Sequence, residues 1–338
     1  MKQSTEQNAK TPLVTVAIPT LNGADYLRET LMSLLAQDYR NLDILVSDNG
    51  STDDSLALAS AVVQGDPRVR FRRNETTVPI HEHYNQCLQA ARGEFFSMLD
   101  DDDLITPNFV SELVGIAMRH PHVDLVMARS VTIDAKGALI LEYATPESEV
   151  VDGFQFVCDW LYGRAAPKFA CVGTVLLRTA TLRQFNGYQN IARGQNIDNL
   201  VLLQCALGNQ IGFSRKAVFK WRVYEASYAG KISLQLLMKS SRQFVSYLRT
   251  DSQTAVALAK LSPAQRKEII DGVRYMGAAE VLHRMDFFGS PFSIAKVRSL
   301  FAFPLSSMGY SMVLSHYIGR FRDRFLLSGS SAASANRS

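Results

Sequence analysis

The 338-residue chain has little cysteine. Its four, Cys87, Cys158, Cys171 and Cys205, form no CxxC pair, and three of them sit in apolar stretches where a reduced thiol behaves as a small hydrophobe. A reducing cytoplasm is the expected compartment. An excess of charge is missing too: 36 basic residues stand against 32 acidic ones, a net +4. That balance excludes a nucleic-acid binder working by bulk electrostatics. Residues 1–11 contain no apolar run, so neither a secretory signal nor an N-terminal anchor is expected. No repeat of solenoid period occurs, and no Gly-rich phosphate loop with basic residues opens the chain. What is present is 47% hydrophobic, enough for one large domain and a smaller appendage.

The apolar residues fall into an alternating pattern. Leu13 to Ile18 is a nearly continuous apolar run stopped by Pro19, as expected of a buried parallel strand. A helix is expected from Ala24 to Gln37, with Leu27, Leu31, Leu34 and Leu35 on one face. Strand-like and helix-like runs then follow in turn at 42–47, 53–63, 69–72, 80–91 and 95–99. This βα alternation predicts a doubly wound α/β sheet. Further runs predict helices at 107–119 and 153–162, strands at 123–128 and 172–177, a helix at 199–207 and an extended segment at 211–224. After about Gly230 glycines thin out and helical patterns dominate, at 234–248 and 263–285.

In an open α/β sheet ligands bind beyond the carboxyl ends of the strands, and three of these ends are polar. They read Pro19-Thr20-Leu21-Asn22-Gly23, Asp48-Asn49-Gly50-Ser51-Thr52-Asp53 and Asp100-Asp101-Asp102-Asp103. Four like charges at the end of an apolar strand are unfavourable unless a cation or solvent relieves them. If the strand stays extended, Asp100 and Asp102 share a face and could hold Mg²⁺ or Mn²⁺ through oxygen. The alternative is a solvated acidic loop capping the helix near Pro107. Asp48 closes an apolar strand before a turn, where its carboxylate could accept a hydrogen bond from a base N–H; Asp53 reads better as a helix cap.

Taken together, Val16 to Asn22, Val46 to Asp53 and Ala91 to Pro107 resemble three successive signatures of family 2 glycosyltransferases, in order and in spacing. The resemblance extends weakly to about Ser227. It implies a GT-A type Rossmann-like mixed sheet flanked by helices, with a C-terminal helical extension. It also implies an inverting transfer from a nucleotide-diphosphate sugar, commonly a UDP-sugar, to an acceptor hydroxyl. By this resemblance Pro19, Thr20, Asn22, Asp48 and Asp100 line the nucleotide site, and Asp102 with Asp100 forms a DxD motif for Mg²⁺ or Mn²⁺. Asn74 and Asn85 match polar positions of the family, with a helix or turn role equally open.

Such enzymes are similar to one another in an acidic pair near the acceptor. Here Gln195-Asn196-Ile197-Asp198-Asn199 retains a single acid. Asp198 is the candidate base, an N-cap of the following helix being its alternative. Tyr224 stands where relatives often carry a histidine that meets metal or phosphate, which puts metal ligation by that loop in doubt. Arg222 is either a phosphate contact or a surface arginine. Of the six histidines, His81 and His83 are close in sequence but on different sides of a helix, and both read as surface residues.

The resulting organisation is a loose N-terminus at 1–12, a GT-A catalytic domain at 13–230, a helical region at 231–327 and a disordered tail at 328–338. Residues 299–319 carry no formal charge and have basic flanks. They read either as an interfacial segment on an anionic membrane surface or as helices packed on the domain. The expected partners are a nucleotide-diphosphate sugar and a saccharide or lipid-linked saccharide acceptor, with an anionic membrane surface if the interfacial reading holds, and no nucleic acid. Two rival functions remain: a nucleotide-sugar binding protein that has lost catalysis, and a nucleotidyltransferase.

Overall fold

The computed structural model describes residues 11–164, 171–191, 196–225 and 233–287. Its first half alternates as the apolar pattern requires: β1 (Val14–Thr20), α1 (Leu27–Leu35), β2 (Leu42–Asp48), α2 (Ser55–Val63), β3 (Val69–Arg73), α3 (Ile80–Ala90) and β4 (Phe95–Met98). All seven residues of β1 and all seven of β2 are buried, which is why both read as unbroken apolar runs rather than as alternating ones. A second half follows: β5 (Leu104–Ile105), α4 (Phe109–Arg119), β6 (Leu125–Ile133), β7 (Leu139–Glu142), β8 (Val150–Asp152), α5 (Gly153–Tyr162), β9 (Val175–Arg178), α6 (Thr179–Gln184), α7 (Ile197–Ala206) and β10 (Gln210–Arg222). Helices α8 (Leu234–Thr250), α9 (Ser252–Ala259) and α10 (Pro263–Phe287) close the described chain.

These strands form one mixed sheet in the order β3-β2-β1-β4-β9-β6-β10-β5, with β7 paired to β6 and β8 to β10. β1 to β4 run parallel, whereas β9 is antiparallel to both β4 and β6. The sheet is therefore mixed, as the family resemblance implies. Side chains alternate across it. Val14, Val16, Ile18, Ile44 and Val46 pack on one face against α1, α2 and α4. Ala17, Leu45, Phe96 and Met98 pack on the other face against α3, α5 and α7. Phe244, Leu248, Leu258, Ile269 and Val273 of the last three helices join this second core, so helices α8 to α10 share the interior of the sheet domain. The four cysteines are buried and free.

Two local readings need correction. Residues 172–174, expected to begin a strand, form a 3₁₀ turn, and the strand starts at Val175. The elements β5, β7, β8, α6 and α9 were not foreseen; each is short, and the longest, α9, has eight residues. Segments of that length carry too few turns or alternations to show a period. Among the described residues no helix is long and apolar enough to cross a membrane. The segment 299–319, the tail at 328–338 and most of the loose N-terminus lie outside the described residues.

Candidate active site

The carboxyl ends of β1, β2 and β4 lie side by side, because β1 pairs in parallel with both neighbours. The three polar segments are thereby brought together. After β1 the chain turns at Asn22, whose φ is +55°. Its backbone N–H donates to Ser51 Oγ at 2.9 Å, and its side-chain oxygen accepts from Thr52 N at 2.9 Å. The first and second segments are thus stitched to each other. Asp48 is fully buried: its carboxylate accepts from Ser51 N at 3.1 Å and pairs with Arg73 Nε at 3.2 Å. The Arg73 side chain is 52% exposed and also donates to the Ser51 carbonyl at 2.9 Å. Asn74 braces the same turn by donating to Asn49 Oδ1. Asn85 instead holds the loop at Tyr188, donating to its carbonyl and accepting from its N–H, both at 2.8 Å.

The acidic run departs from the extended reading. Asp103 N donates to the Asp100 carbonyl at 3.2 Å, which closes a turn over 100–103 and sends the four carboxylates in different directions. Asp101 accepts from the Thr20 hydroxyl. Asp103 is buried and accepts from Arg222 N at 2.8 Å. Asp100 accepts from Tyr84 Oη, and Asp102 from Tyr224 Oη, each at 3.0 Å. The turn thus spends Asp103 on the protein. Asp100, Asp101 and Asp102 stay partly exposed, Asp100 and Asp102 each with one tyrosine on one oxygen and Asp101 with the Thr20 hydroxyl on one of its own.

Gly23 makes the close approach of Asp101 possible: a Cβ there would overlap the Asp101 carboxylate and come within 2.8 Å of Thr20 Oγ1. Gly23→Ala should push Asp101 off Thr20, cost about 1–3 kcal/mol in urea unfolding, and weaken nucleotide binding measured calorimetrically. Stability equal to wild type would show that the carboxylate yields without penalty.

Burial raises all four carboxyl groups. Asp100 is lifted to about 7 by burial and then by the charges of Asp102 and Asp101, against the Tyr84 hydrogen bond. Asp101 is lifted to about 7 by burial, although Thr20 opposes the shift. Asp103 is driven well above the usual range by burial and by Asp102 and Asp100. Asp102 is raised less, because Tyr224 and the Arg222 charge work against its burial. Charges stacked in this way are eased by a hard cation. An all-oxygen pair of carboxylates suits Mg²⁺ or Mn²⁺, either of which completes its shell with phosphate oxygens and water. Among the described residues no group of three or more His, Cys, Asp or Glu side chains encloses a metal position.

Asp198 lies in the first turn of α7, where Asn196 holds the N-cap position, so the capping alternative does not describe it. Burial lifts its carboxyl to about 6. Its charge reaches Asp100, Tyr84 and Tyr188, and the two tyrosine rings meet edge to face at 5.3 Å. The candidate base and Asp100 therefore lie in one electrostatic neighbourhood that also takes in Tyr84 and Tyr188. The loop that precedes Asp198, residues 192–195, lies outside the described residues.

A family model described as "Glycosyl transferase family 2" matches residues 15–156, the stretch that supplies all three polar segments. Over this segment the chain is similar to glycosyl transferase family 2. EpsE of Bacillus subtilis (strain 168), named as a glycosyltransferase, is 26% identical over 195 residues, covering 56% of this chain. The chain spans 65% of that relative's length. TarS of S. aureus, solved in complex with UDP-GlcNAc, is similar in fold: the TM-score is 0.58 at 18% identity, over 80% of this chain and 82% of that one. So is the mannosyltransferase PcManGT of Pyrobaculum calidifontis, solved with GDP-Man and Mn²⁺, with a TM-score of 0.54 at 17% identity, over 93% and 88% of the two chains. The glycosyltransferase fold is thus shared with proteins that bind different nucleotide sugars.

Two residues depart from the surface roles that sequence suggested. Arg222 is 1% exposed, and its guanidinium is spent on protein partners rather than turned to solvent. His83 is 3% exposed, with Nε2 2.8 Å from Ser47 Oγ. Two tyrosines, Tyr84 and Tyr188, were missed altogether. Nothing local marks the Tyr84 hydroxyl as one that meets an aspartate 16 residues away, or the Tyr188 ring as its edge-to-face neighbour.

Burial, and then the nearby Arg72, hold the His83 imidazole down at about 4, against an ordinary 6.5. The native protein keeps it neutral while the unfolded chain takes up a proton below pH 6.5, so stability is complete above that pH. As pH falls from 6.5 to 4, about 3 kcal/mol is lost. His83→Gln should remove that part of the acid sensitivity. Urea unfolding of both proteins at pH 7 and pH 4.5 measures it; parallel losses would mean that His83 does not drive the effect.

Proposed function

We propose that the protein is an inverting glycosyltransferase that moves a sugar from a nucleotide-diphosphate donor, of the UDP-sugar class, to an acceptor hydroxyl. The observation that carries this reading is the pair of partly exposed carboxylates, Asp100 and Asp102, at the carboxyl end of β4, flanked by the interlocked ends of β1 and β2, with the charge of Asp198 reaching Asp100. In this reading the segment Pro19, Thr20 and Asn22 and the turn braced by Asp48 hold the nucleotide, with Asp48 meeting the base once Arg73 has moved. Asp100 and Asp102 hold Mg²⁺ or Mn²⁺, which supplies charge neutralisation for the leaving diphosphate. Asp198 takes the proton from the acceptor hydroxyl as that oxygen attacks the anomeric carbon from the face opposite the nucleotide. A carboxyl near 6 suits the task, since it is largely ionised at neutral pH yet basic enough to accept a proton.

The acceptor is proposed to be a saccharide or lipid-linked saccharide of the cell surface, met at the cytoplasmic face of a membrane. The apolar stretch at 299–319 with its basic flanks supports that location. Calorimetric titration of UDP, GDP and their common sugar conjugates, each with and without Mn²⁺, tests the donor reading. Metal-dependent binding of one nucleotide is expected, and binding of none would sink it. The single acid of the segment 195–199 favours one second reading, a nucleotide-sugar binding protein without catalysis. Donor binding with no transfer to any acceptor, and no release of nucleotide, would establish that alternative.

A further inference from the structure

Arg222 has the largest side chain among the fully buried residues, and a guanidinium is retained in such a place only with its donors satisfied. Its partners come from three stretches of the chain. The backbone N–H donates to Asp103 Oδ1 at 2.8 Å, and Nε donates to the Asp102 carbonyl at 2.8 Å. Nη1 donates to the Ala135 carbonyl at 2.9 Å, in the turn after β6, and Nη2 to Glu29 Oε2 of α1 at 2.7 Å. The guanidinium also lies 4.5 Å over the Tyr26 ring. Tyr26 in turn touches Tyr224 at 4.9 Å, and Tyr224 donates to Asp102. Sequence separations of 119 and 120 residues are bridged here because β5 pairs antiparallel with β10, setting Leu104 beside Lys220. Two steps further along, the same register brings the acidic turn to Arg222.

Resting on the donor-site reading above, we infer that Arg222 is a positioning residue: a resident counter-ion and frame that holds the acidic turn in its cation-binding shape before any cation arrives. Two features separate this role from plain core filling. Its guanidinium grips Asp102 by the main-chain carbonyl, leaving that carboxylate to Tyr224 and to the substrate side, and its side chain ties that grip to α1 and to the turn after β6 while the backbone N–H of the same residue holds the next aspartate. A fixed positive charge behind the turn also offsets part of the repulsion among the four carboxylates. Glu29, 54% exposed, answers the guanidinium from the surface, so the frame ends in a residue that can be altered without opening the core.

The test titrates Mn²⁺ calorimetrically, in the presence of UDP or of GDP, into wild type, Arg222→Gln, Arg222→Lys and Glu29→Gln, each well below its own melting temperature. Arg222→Gln should bind Mn²⁺ on the order of 10- to 100-fold more weakly, the usual effect of removing a group that orients a metal ligand. Arg222→Lys should recover part of that loss, and Glu29→Gln should show a smaller weakening in a protein that folds normally. Folded Arg222→Gln with wild-type Mn²⁺ affinity would overturn the inference. If Arg222→Gln does not fold, wild-type affinity in Glu29→Gln overturns it instead. A wild type that binds no Mn²⁺ with either nucleotide fails at the donor reading itself, before any variant is compared, and the inference falls with it.

Discussion

Asp198→Asn is expected to lower kcat for sugar transfer by roughly 10²- to 10⁴-fold, the range for loss of a general base, with donor affinity unchanged. Asparagine keeps the shape and the first-turn position but cannot take a proton. The wild-type rate should also rise with pH through about 6, where Asp198 loses its proton. A base works only when deprotonated, so activity is present above that pH and lost below it. The variant should show no such limb. Initial rates across pH 5 to 8, with donor affinity measured separately, decide the matter. A variant that keeps both the rate and the limb removes Asp198 from the mechanism.

The second large effect concerns Asp102. Asp102→Ala should weaken metal-dependent nucleotide binding by at least about a hundredfold, because the metal's contribution at a transferring phosphate is several kcal/mol. Its effect on stability should have the opposite sign. Asp102 is the largest single charge raising Asp100, and it also raises Asp103, so its removal relieves repulsion and the burial of its own charge at the cost of one Tyr224 hydrogen bond and the attraction of Arg222. A melting temperature equal to or above that of wild type is expected, with binding lost: the pattern of a residue kept for function rather than folding. Calorimetry with and without Mn²⁺, beside thermal unfolding of the metal-free protein, checks both halves. Retained metal-dependent binding would move the ligand to another carboxylate of the turn. Lost binding with a much lower melting temperature would make Asp102 a structural residue.

Much of the fold could be read from apolar spacing, and the reasons are visible in particular elements. β1 and β2 are buried on both faces and so declare themselves as runs, while α1 buries Leu27, Leu31 and Leu34 at helical spacing. The helices at 80–90 and 153–162 begin and end almost where their patterns do. Short edge elements escaped, and so did the switch to antiparallel pairing at β9. Pairing direction depends on which strands meet, and no residue of Val175–Arg178 encodes it.

The candidate site divides in the same way. The chemical types and their placement after strands are local properties. Asp48, Asp100, Asp102 and the turn at Asn22 could be picked out because a carboxylate or a left-handed residue is conspicuous at the end of an apolar strand. Whether a given aspartate faces substrate or protein is not local. The acidic run folds into a turn, and Arg222, Thr20, Tyr84 and Tyr224 each claim one of its members from up to 122 residues away. His83 and Arg222 looked like surface residues for the same reason: a polar side chain can be buried wherever distant partners satisfy it, and sequence does not show the partners. The sequence by itself determined the α/β architecture, the strand-end location of the site and the residue types available there, because these follow from periodicity and chain direction. The tertiary structure alone decided which carboxylates remain open and which are held, because that depends on contacts the sheet order creates.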